Sequence, residues 1–78
     1  MYFTYAIKSM SRKYIYVGMT NDLLRRVSQH QSGHERTTAP YRPFLLLYQE
    51  AHPTRIAARK REKYLKSGAG KEWLKNIE

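Results

Sequence analysis

The chain has 78 residues, no cysteine and a formal net charge of +9, because 15 lysines and arginines face six aspartates and glutamates. This length predicts a single domain over residues 1–78 with one modest core, and the lack of cysteine excludes disulfides and cysteine-ligated zinc sites. No apolar run approaches the roughly 20 residues that span a bilayer and the first residues are too polar for a signal peptide, so we expect a cytoplasmic protein that binds no membrane.

The excess of positive charge points to a polyanionic partner. A strongly basic chain is typical of proteins that bind nucleic acid, since each neutralised phosphate releases a condensed counterion. A high net charge also keeps a protein soluble without any partner. Charge favours the first interpretation and leaves the second open.

The first half of the chain predicts two strands followed by a helix. Side chains alternate along YFTYAIK (residues 2–8) and along YIYVGM (residues 14–19) with the two-residue period of a strand, and SMSR links them as an antiparallel hairpin. A helix then runs through Leu23, Leu24 and Val27, which form its apolar stripe, and stops at the following Ser-Gly pair.

The second half predicts one more strand and two helices. A polar loop with two prolines precedes FLLLYQE (residues 44–50), which is apolar on both faces and is expected to be a buried strand at the centre of the sheet. A helical pattern extends from Pro53 to Lys66, SGAG breaks it, and KEWLKNIE forms a short last helix that docks Trp73 and Leu74 on the core. The predicted class is α/β (α+β), with a small three-stranded mixed or antiparallel sheet flanked by helices.

Helical geometry separates the basic side chains of the first helix. At 100° per residue, Arg26 and His30 lie one turn apart on the flank of the apolar stripe, whereas Arg25 faces solvent. Two ordinary roles compete with a functional one. Arg26 can lay its methylenes over the edge of the core with its charge in water, and a single histidine is more often a capping or packing residue.

Glu62 is the only acidic residue in the second predicted helix, where six of the twelve residues from Arg55 to Lys66 are basic. Its one-turn neighbours Ala58 and Leu65 are apolar, which indicates a half-buried carboxylate. Glu62 can form an ion pair with a nearby cation, which is worth little at a surface. It can also be an oxygen ligand of Mg²⁺, which needs only one or two carboxylates when phosphate and water complete the shell. Spacing alone favours the ion pair.

These segments together resemble the GIY-YIG nuclease family. FTY (residues 3–5) resembles the first signature and YVG (residues 16–18) the second, NDLLRRVSQH looks like the helix that carries an arginine and then a histidine, and KREKYLK looks like the glutamate helix. The resemblance covers nearly the whole chain. It is closest to the small stand-alone bacterial members, which are similar to the N-terminal nuclease domain of the excision-repair endonuclease. Phe3 and Thr4 stand where the family name has glycine and isoleucine, but the tyrosine is kept.

The resemblance implies a role for each matching residue. Tyr5 would act as the general base or position the water, and Tyr16 would hold the attacking water or the phosphate. Arg26 would bind the scissile phosphate. His30 would orient a tyrosine hydroxyl or relay a proton, and Glu62 would hold one divalent metal ion, Mg²⁺ or Mn²⁺.

Two more positions take their roles from the resemblance. Gly18 would permit close backbone packing at the end of the strand. Lys8 would lower the pKa of a tyrosine, although simple alternation places Lys8 and Tyr5 on opposite faces of their strand. Basic residues outside this set are the candidates for general contact with nucleic acid: Arg25, Arg55, Arg59 and Lys63.

The activity that the resemblance implies is metal-dependent endonucleolytic hydrolysis of phosphodiester bonds in nucleic acid, with a role in DNA repair or processing. DNA is favoured over RNA as the partner, and both stay open as the substrate. The arginine and the metal ion would stabilise the negative charge that builds on phosphorus. Two other classes of function stay open at this point. One is a nucleic-acid-binding module on the same fold that does not cut, or cuts only with a partner. The other is a structural module that binds a ribosome or another nucleoprotein through charge alone.

Overall fold

The computed structural model of the protein describes residues 1–77. Three strands and three α-helices are joined by short connections, apart from the longer segment before the third strand, which contains a 3-10 turn at Ala39–Tyr41. No helix in this part of the chain is long and apolar enough to cross a bilayer. The elements are β1 (Tyr2–Ser9), β2 (Ile15–Thr20), α1 (Leu23–Ser32), β3 (Phe44–His52), α2 (Arg55–Lys66) and α3 (Gly68–Asn76).

β1 is the central strand of the sheet, and both neighbours run antiparallel to it in the order β2-β1-β3. The expected α+β fold is confirmed, with a sheet that is antiparallel throughout. In the β1–β2 ladder Tyr5 lies opposite Gly18 and Ile7 lies opposite Tyr16. The two sequence signatures are therefore neighbours in one hairpin.

β3 is an edge strand, so the expectation that it forms the centre of the sheet is wrong. Leu45 and Leu46 near its start are 53% and 37% exposed. β1 is covered on both faces instead, with four consecutive buried residues from Thr4 onward. The sequence does not indicate this burial, because Thr4 and Tyr5 of β1 have polar side-chain atoms. In the fold the Thr4 hydroxyl donates to the carbonyl of Ala58 at 2.8 Å, which satisfies it and ties β1 to α2.

The sheet separates two small cores. On one side, beneath α2 and α3, the buried apolar residues are Ala6, Val17, Leu65 and Leu74. On the other side, beside α1, they are Tyr5, Ile7 and Phe44. Because side chains alternate along a strand, the odd-numbered residues of β1 face α1 and the even-numbered ones face α2 and α3.

α1 has a defined start and stop. The Asp22 side chain accepts a hydrogen bond from the Arg25 N–H at 3.2 Å, and Gly33 ends the helix in the left-handed conformation with φ 84°. Leu24 is 85% exposed, so its placement in the apolar stripe is wrong. Its position 100° around the helix from Leu23 carries it past the contact with the sheet.

α2 begins two residues later than expected. The Thr54 hydroxyl accepts a hydrogen bond from the Ala57 N–H and caps the helix, so Pro53 lies outside it. The helix still ends at Lys66, as its sequence predicts.

The break between α2 and α3 is shorter than the predicted SGAG segment. Ser67 alone separates the two helices, and its hydroxyl accepts a hydrogen bond from the Gly70 N–H at 3.3 Å. The glycines lie in the first turn of α3. Leu74 is fully buried, whereas Trp73 is 37% exposed and meets the Tyr48 ring edge to face. Residue 78, the end of the predicted helix, lies outside the described residues.

Candidate functional site

A buried chain of hydrogen bonds joins β1, α1 and the segment before β3. The Tyr5 hydroxyl lies 2.8 Å from Nε2 of His30, and Nδ1 of His30 lies 2.8 Å from the Thr38 hydroxyl. All three side chains are fully buried. Tyr5 reaches the histidine because the odd-numbered face of β1 packs against α1.

The network determines which nitrogen of His30 carries the proton. Burial, and then the charge of Arg26, lowers the pKa of His30, so the ring is neutral at pH 7. The Thr38 hydroxyl donates to the carbonyl of Glu35 at 3.4 Å, which leaves its oxygen to accept from Nδ1–H. Nε2 is then the acceptor for the Tyr5 hydroxyl proton.

Tyr5 and Tyr16 differ in their access to solvent. Burial raises the pKa of Tyr5 to about 12, and a hydrogen bond with Arg26 opposes part of that rise. Tyr5 is therefore a protonated, fully buried hydrogen-bond donor at neutral pH. Tyr16 is half-buried, and its ring centroid lies 5.0 Å from that of His30 and 6.3 Å from that of Tyr5.

Gly18 makes room for both tyrosine rings. A Cβ atom at this position would lie 2.7 Å from the Tyr5 hydroxyl oxygen and 3.0 Å from Cε2 of Tyr16. A contact as short as 2.7 Å is below what real Cβ atoms show, so any side chain at position 18 would displace the Tyr5 ring. The glycine of YVG is therefore required for steric reasons, because Tyr5 from the facing strand and Tyr16 from its own strand both approach it closely.

Arg26 lies at the rim of this cluster and is bound to a carboxylate. Its Nη2 donates to Oε2 of Glu35 at 2.9 Å, and its Nη1 donates to Oε1 of Gln29 at 3.1 Å. The hydrogen bond from Arg26 lowers the pKa of Glu35, so the carboxylate is ionised at neutral pH. Both side chains of the ion pair are about 30% exposed. An incoming phosphate can therefore reach the guanidinium by displacing Glu35.

Glu62 is a residue of α2, which packs on the opposite side of the sheet from α1. Ala58 and Leu65 of this helix are fully buried, which fixes the helix face that meets the sheet. Arg61 lies on one flank of that face and interacts with Glu50 of β3, with Nε 3.5 Å from Oε1. Glu62 follows Arg61 by 100° and lies on the opposite flank, which is the side of β2 because β2 and β3 border β1 on opposite sides.

Two cations hold the carboxylate of Glu62. Nζ of Lys66 lies 3.2 Å from Oε2, and Nε of Arg59 lies 3.8 Å from Oε1. The side chain is only 14% exposed, as its apolar neighbours predict. Residues 1–77 contain no cluster of three or more metal-ligating side chains. A single carboxylate suits a hard ion such as Mg²⁺ that completes its shell with water and phosphate, and it does not suit a tetrahedral zinc site.

The remaining predicted residues lie outside the hydrogen-bonded chain of Tyr5, His30 and Thr38. Lys8 is on the even-numbered face of β1 and lines the same groove as Lys66 and Lys71, so the fold separates it from Tyr5. The cation that opposes the rise in the pKa of Tyr5 is Arg26. The four candidates for general nucleic-acid contact are all exposed, one on α1 and three on α2: Arg25, Arg55, Arg59 and Lys63.

Several members of the site carry no signal in the sequence. Thr38 and Glu35 belong to a polar loop without periodicity, and they meet His30 and Arg26 only through the fold. Gln31, in the last turn of α1, joins that helix to the start of β3, because its side-chain amide donates to the carbonyl and accepts from the N–H of Phe44, at 2.7 and 2.8 Å. No pattern in the sequence distinguishes these polar residues from their neighbours.

Comparisons with known proteins bear on the family and the fold of the chain. Residues 1–76 match the model of the GIY-YIG catalytic domain family. The solution NMR structure of the UPF0213 protein BH0048 from Bacillus halodurans is similar to the chain, with a TM-score of 0.58 and 29% sequence identity over 100% of this chain and 86% of that one. No curated protein sequence matches significantly.

Proposed function

Because the chain belongs to the GIY-YIG family, we propose that it hydrolyses phosphodiester bonds in nucleic acid with one divalent metal ion, Mg²⁺ or Mn²⁺. The observation that carries the proposal is the arrangement around β2. Tyr16, Arg26 and His30 lie on one side of this strand, and Glu62 lies on the flank of α2 that faces it from the other side. The resemblance to an excision-repair nuclease domain favours DNA as the substrate and repair or processing as the role.

The free edge of β2 is where these residues can share a ligand. Within residues 1–77, β2 pairs only with β1, so no strand of this part of the chain covers its outer edge. A phosphodiester lying across this edge would have the guanidinium of Arg26 on one side and the carboxylate of Glu62 on the other. Glu62 would hold the metal ion, which when bound supplies charge stabilisation on phosphorus.

The exposure of each side chain determines whether it can contact the substrate or only position another residue. Half-buried Tyr16 is the hydroxyl that can contact the attacking water or the phosphate. Fully buried Tyr5 acts as a positioning residue, since it donates to His30 and cannot touch a ligand from its place in the core. Arg26 exchanges its carboxylate partner for the phosphate and stabilises the charge that develops in the transition state.

The test is cleavage of labelled DNA and RNA, single-stranded, duplex and branched, with Mg²⁺ or Mn²⁺ by wild type, Glu62→Gln and Glu72→Gln. Glu62→Gln keeps size and helix propensity but removes the charge that attracts the metal. We expect its cleavage rate to fall by orders of magnitude, because metal stabilisation is worth several kcal/mol in the transition state. Exposed Glu72 in α3 is the matched control and should change little. Cutting by Glu62→Gln at the wild-type rate contradicts the metal-ligand assignment.

A second candidate function is nucleic-acid binding without cleavage. The ion pair between Arg26 and Glu35 favours it, because the guanidinium already has a carboxylate partner in the free protein. Under this alternative the wild type binds nucleic acid and cuts none of the substrates in the panel with either metal.

A further inference from the structure

A groove with a basic rim lies on the side of the sheet that carries α2 and α3. It runs between the turn of the β1–β2 hairpin and the junction of α2 with α3, and we call it the hairpin groove. None of its lining residues in the described part of the chain is acidic. Its basic lining residues are Lys8, Arg12, Lys13, Lys66, Lys71 and Lys75.

Much of the positive charge of the chain lies in the hairpin groove. Six of the 15 lysines and arginines of the chain line this one groove. Lys71 and Lys75 lie one turn apart on α3, and both are exposed. Like charges at this spacing destabilise a helix. A bound polyanion would remove that repulsion, so the pattern fits an anionic ligand better than a merely solvated surface.

The hairpin groove also adjoins the site described above. Lys66 belongs to the groove, and its Nζ lies 3.2 Å from Oε2 of Glu62. Ile15 and Tyr16 of β2 line the groove as well, so it opens toward the free edge of the sheet. A strand of nucleic acid that crosses this edge can continue directly into the groove.

The shape of the hairpin groove distinguishes nucleic acid from a membrane. Val17 and Leu74 are buried and form a recessed floor, and Met10 is the one large apolar side chain of the lining that is exposed in the described part of the chain. A bilayer needs a face of several apolar side chains that project into the headgroup region. A phosphodiester backbone needs only the basic rim, which is accessible.

We propose that the hairpin groove binds the phosphodiester backbone of nucleic acid beside the scissile phosphate. The substrate class rests on the proposed function, whereas the location rests on the charges and position of the groove. None of the four residues predicted from the sequence for general nucleic-acid contact lines it.

The experiment measures binding of labelled DNA and RNA oligonucleotides without divalent metal, between about 50 and 200 mM salt. The test variant is Lys71→Gln/Lys75→Gln. The control is Arg36→Gln/Lys60→Gln, which removes the same charge from exposed positions outside the groove. We expect the test variant to bind more weakly than the control. Its log–log salt slope should be shallower than that of the wild type by roughly 0.7 to 0.9 for each phosphate that the variant no longer neutralises. Unfolding curves check that both variants are folded.

The outcomes separate this inference from the proposed function. Equal decreases of affinity in the two variants, unchanged slopes in both, or a wild type that binds no nucleic acid each overturn the groove as a binding site. A selective decrease in Lys71→Gln/Lys75→Gln supports it. If that selective decrease occurs while the wild type cuts no substrate with metal, the groove stands and the proposed hydrolysis falls.

Discussion

Arg25 and Arg26 are adjacent in the chain but have opposite surroundings. Arg25 is exposed and its N–H is bonded to the Asp22 side chain at the start of α1. The Arg26 guanidinium is bound to Glu35 and lies close enough to Tyr5 to influence its pKa. The difference follows from a rotation of 100° around one helix, which turns Arg26 toward the sheet.

Substitution of each arginine by alanine should therefore give different kinetics. Arg26→Ala should abolish cleavage, because the transition state loses its charged donor. Arg25→Ala should keep the cleavage rate at saturating protein and weaken binding modestly, as expected for an exposed cation. Single-turnover cleavage with an independent binding titration measures both effects. Equal losses of cleavage in the two variants would show that the helix face has been assigned wrongly.

The buried His30 should make the stability of the protein depend on pH. The folded pKa of His30 lies below its ordinary value of 6.5, so the unfolded chain binds the proton more readily. The contribution to stability is complete above pH 6.5 and is lost as the pH falls from 6.5 toward the folded pKa. The slope should be at most about 1.4 kcal/mol per pH unit. Urea unfolding at pH 7.5, 6.5 and 5.5 measures it.

Substitution of single histidines tests the origin of this slope. His30→Gln should remove most of the pH dependence in that range, whereas exposed His34→Gln should retain it. Glu35 also has a lowered pKa, but its ordinary value of 4.5 places its effect at lower pH. A slope that survives in His30→Gln would assign the effect to another group.

At the scale of elements, α3 depends on one buried side chain. Leu74 is fully buried against Ala6, Val17 and Leu65, whereas the adjacent Trp73 is partly exposed. Leu74→Ala should lower the free energy of unfolding by about 2 to 5 kcal/mol, the usual cost of this truncation in a core. Leu24→Ala removes the same atoms from an 85% exposed position and should change it by less than about 0.5 kcal/mol. Chemical denaturation of both variants measures the difference, and similar losses of stability would contradict the assigned burial.

The sequence predicts where the helices and strands lie in the chain better than it predicts which strands are neighbours in the sheet. Alternation and helical period locate all three strands and all three helices, because these patterns depend on local geometry. The order of the strands depends on which strand is buried on both of its faces. Four apolar residues in a row make β3 look more buried than β1, whose Thr4 and Tyr5 have polar atoms. Their burial is possible only because distant partners bond them.

At the scale of the whole molecule, the sheet divides the polar residues of the proposed site into two groups. Helical geometry places Arg26 and His30 at the contact between α1 and the sheet, and the structure agrees. Helical geometry alone cannot show that Glu62 lies on the flank of α2 that faces β2. That placement depends on α2 packing against the opposite face of the sheet from α1. Helical geometry also cannot predict the partners of Thr38 and Glu35, because these partners depend on the path of a loop. The roles of these residues stay predictions for the experiments above.

The central position of β1 has a consequence for how the protein folds. The β1–β2 hairpin closes through a short turn in which the Ser9 N–H bonds the carbonyl of Tyr14 at 2.9 Å. β3 reaches β1 only after the chain has passed through α1 and the loop. Contacts between residues close in sequence form at a smaller entropic cost and usually sooner. We therefore expect Tyr5, Tyr16 and Gly18 to meet early in folding, and the hydrogen bond between the Tyr5 hydroxyl and the more distant His30 to form later.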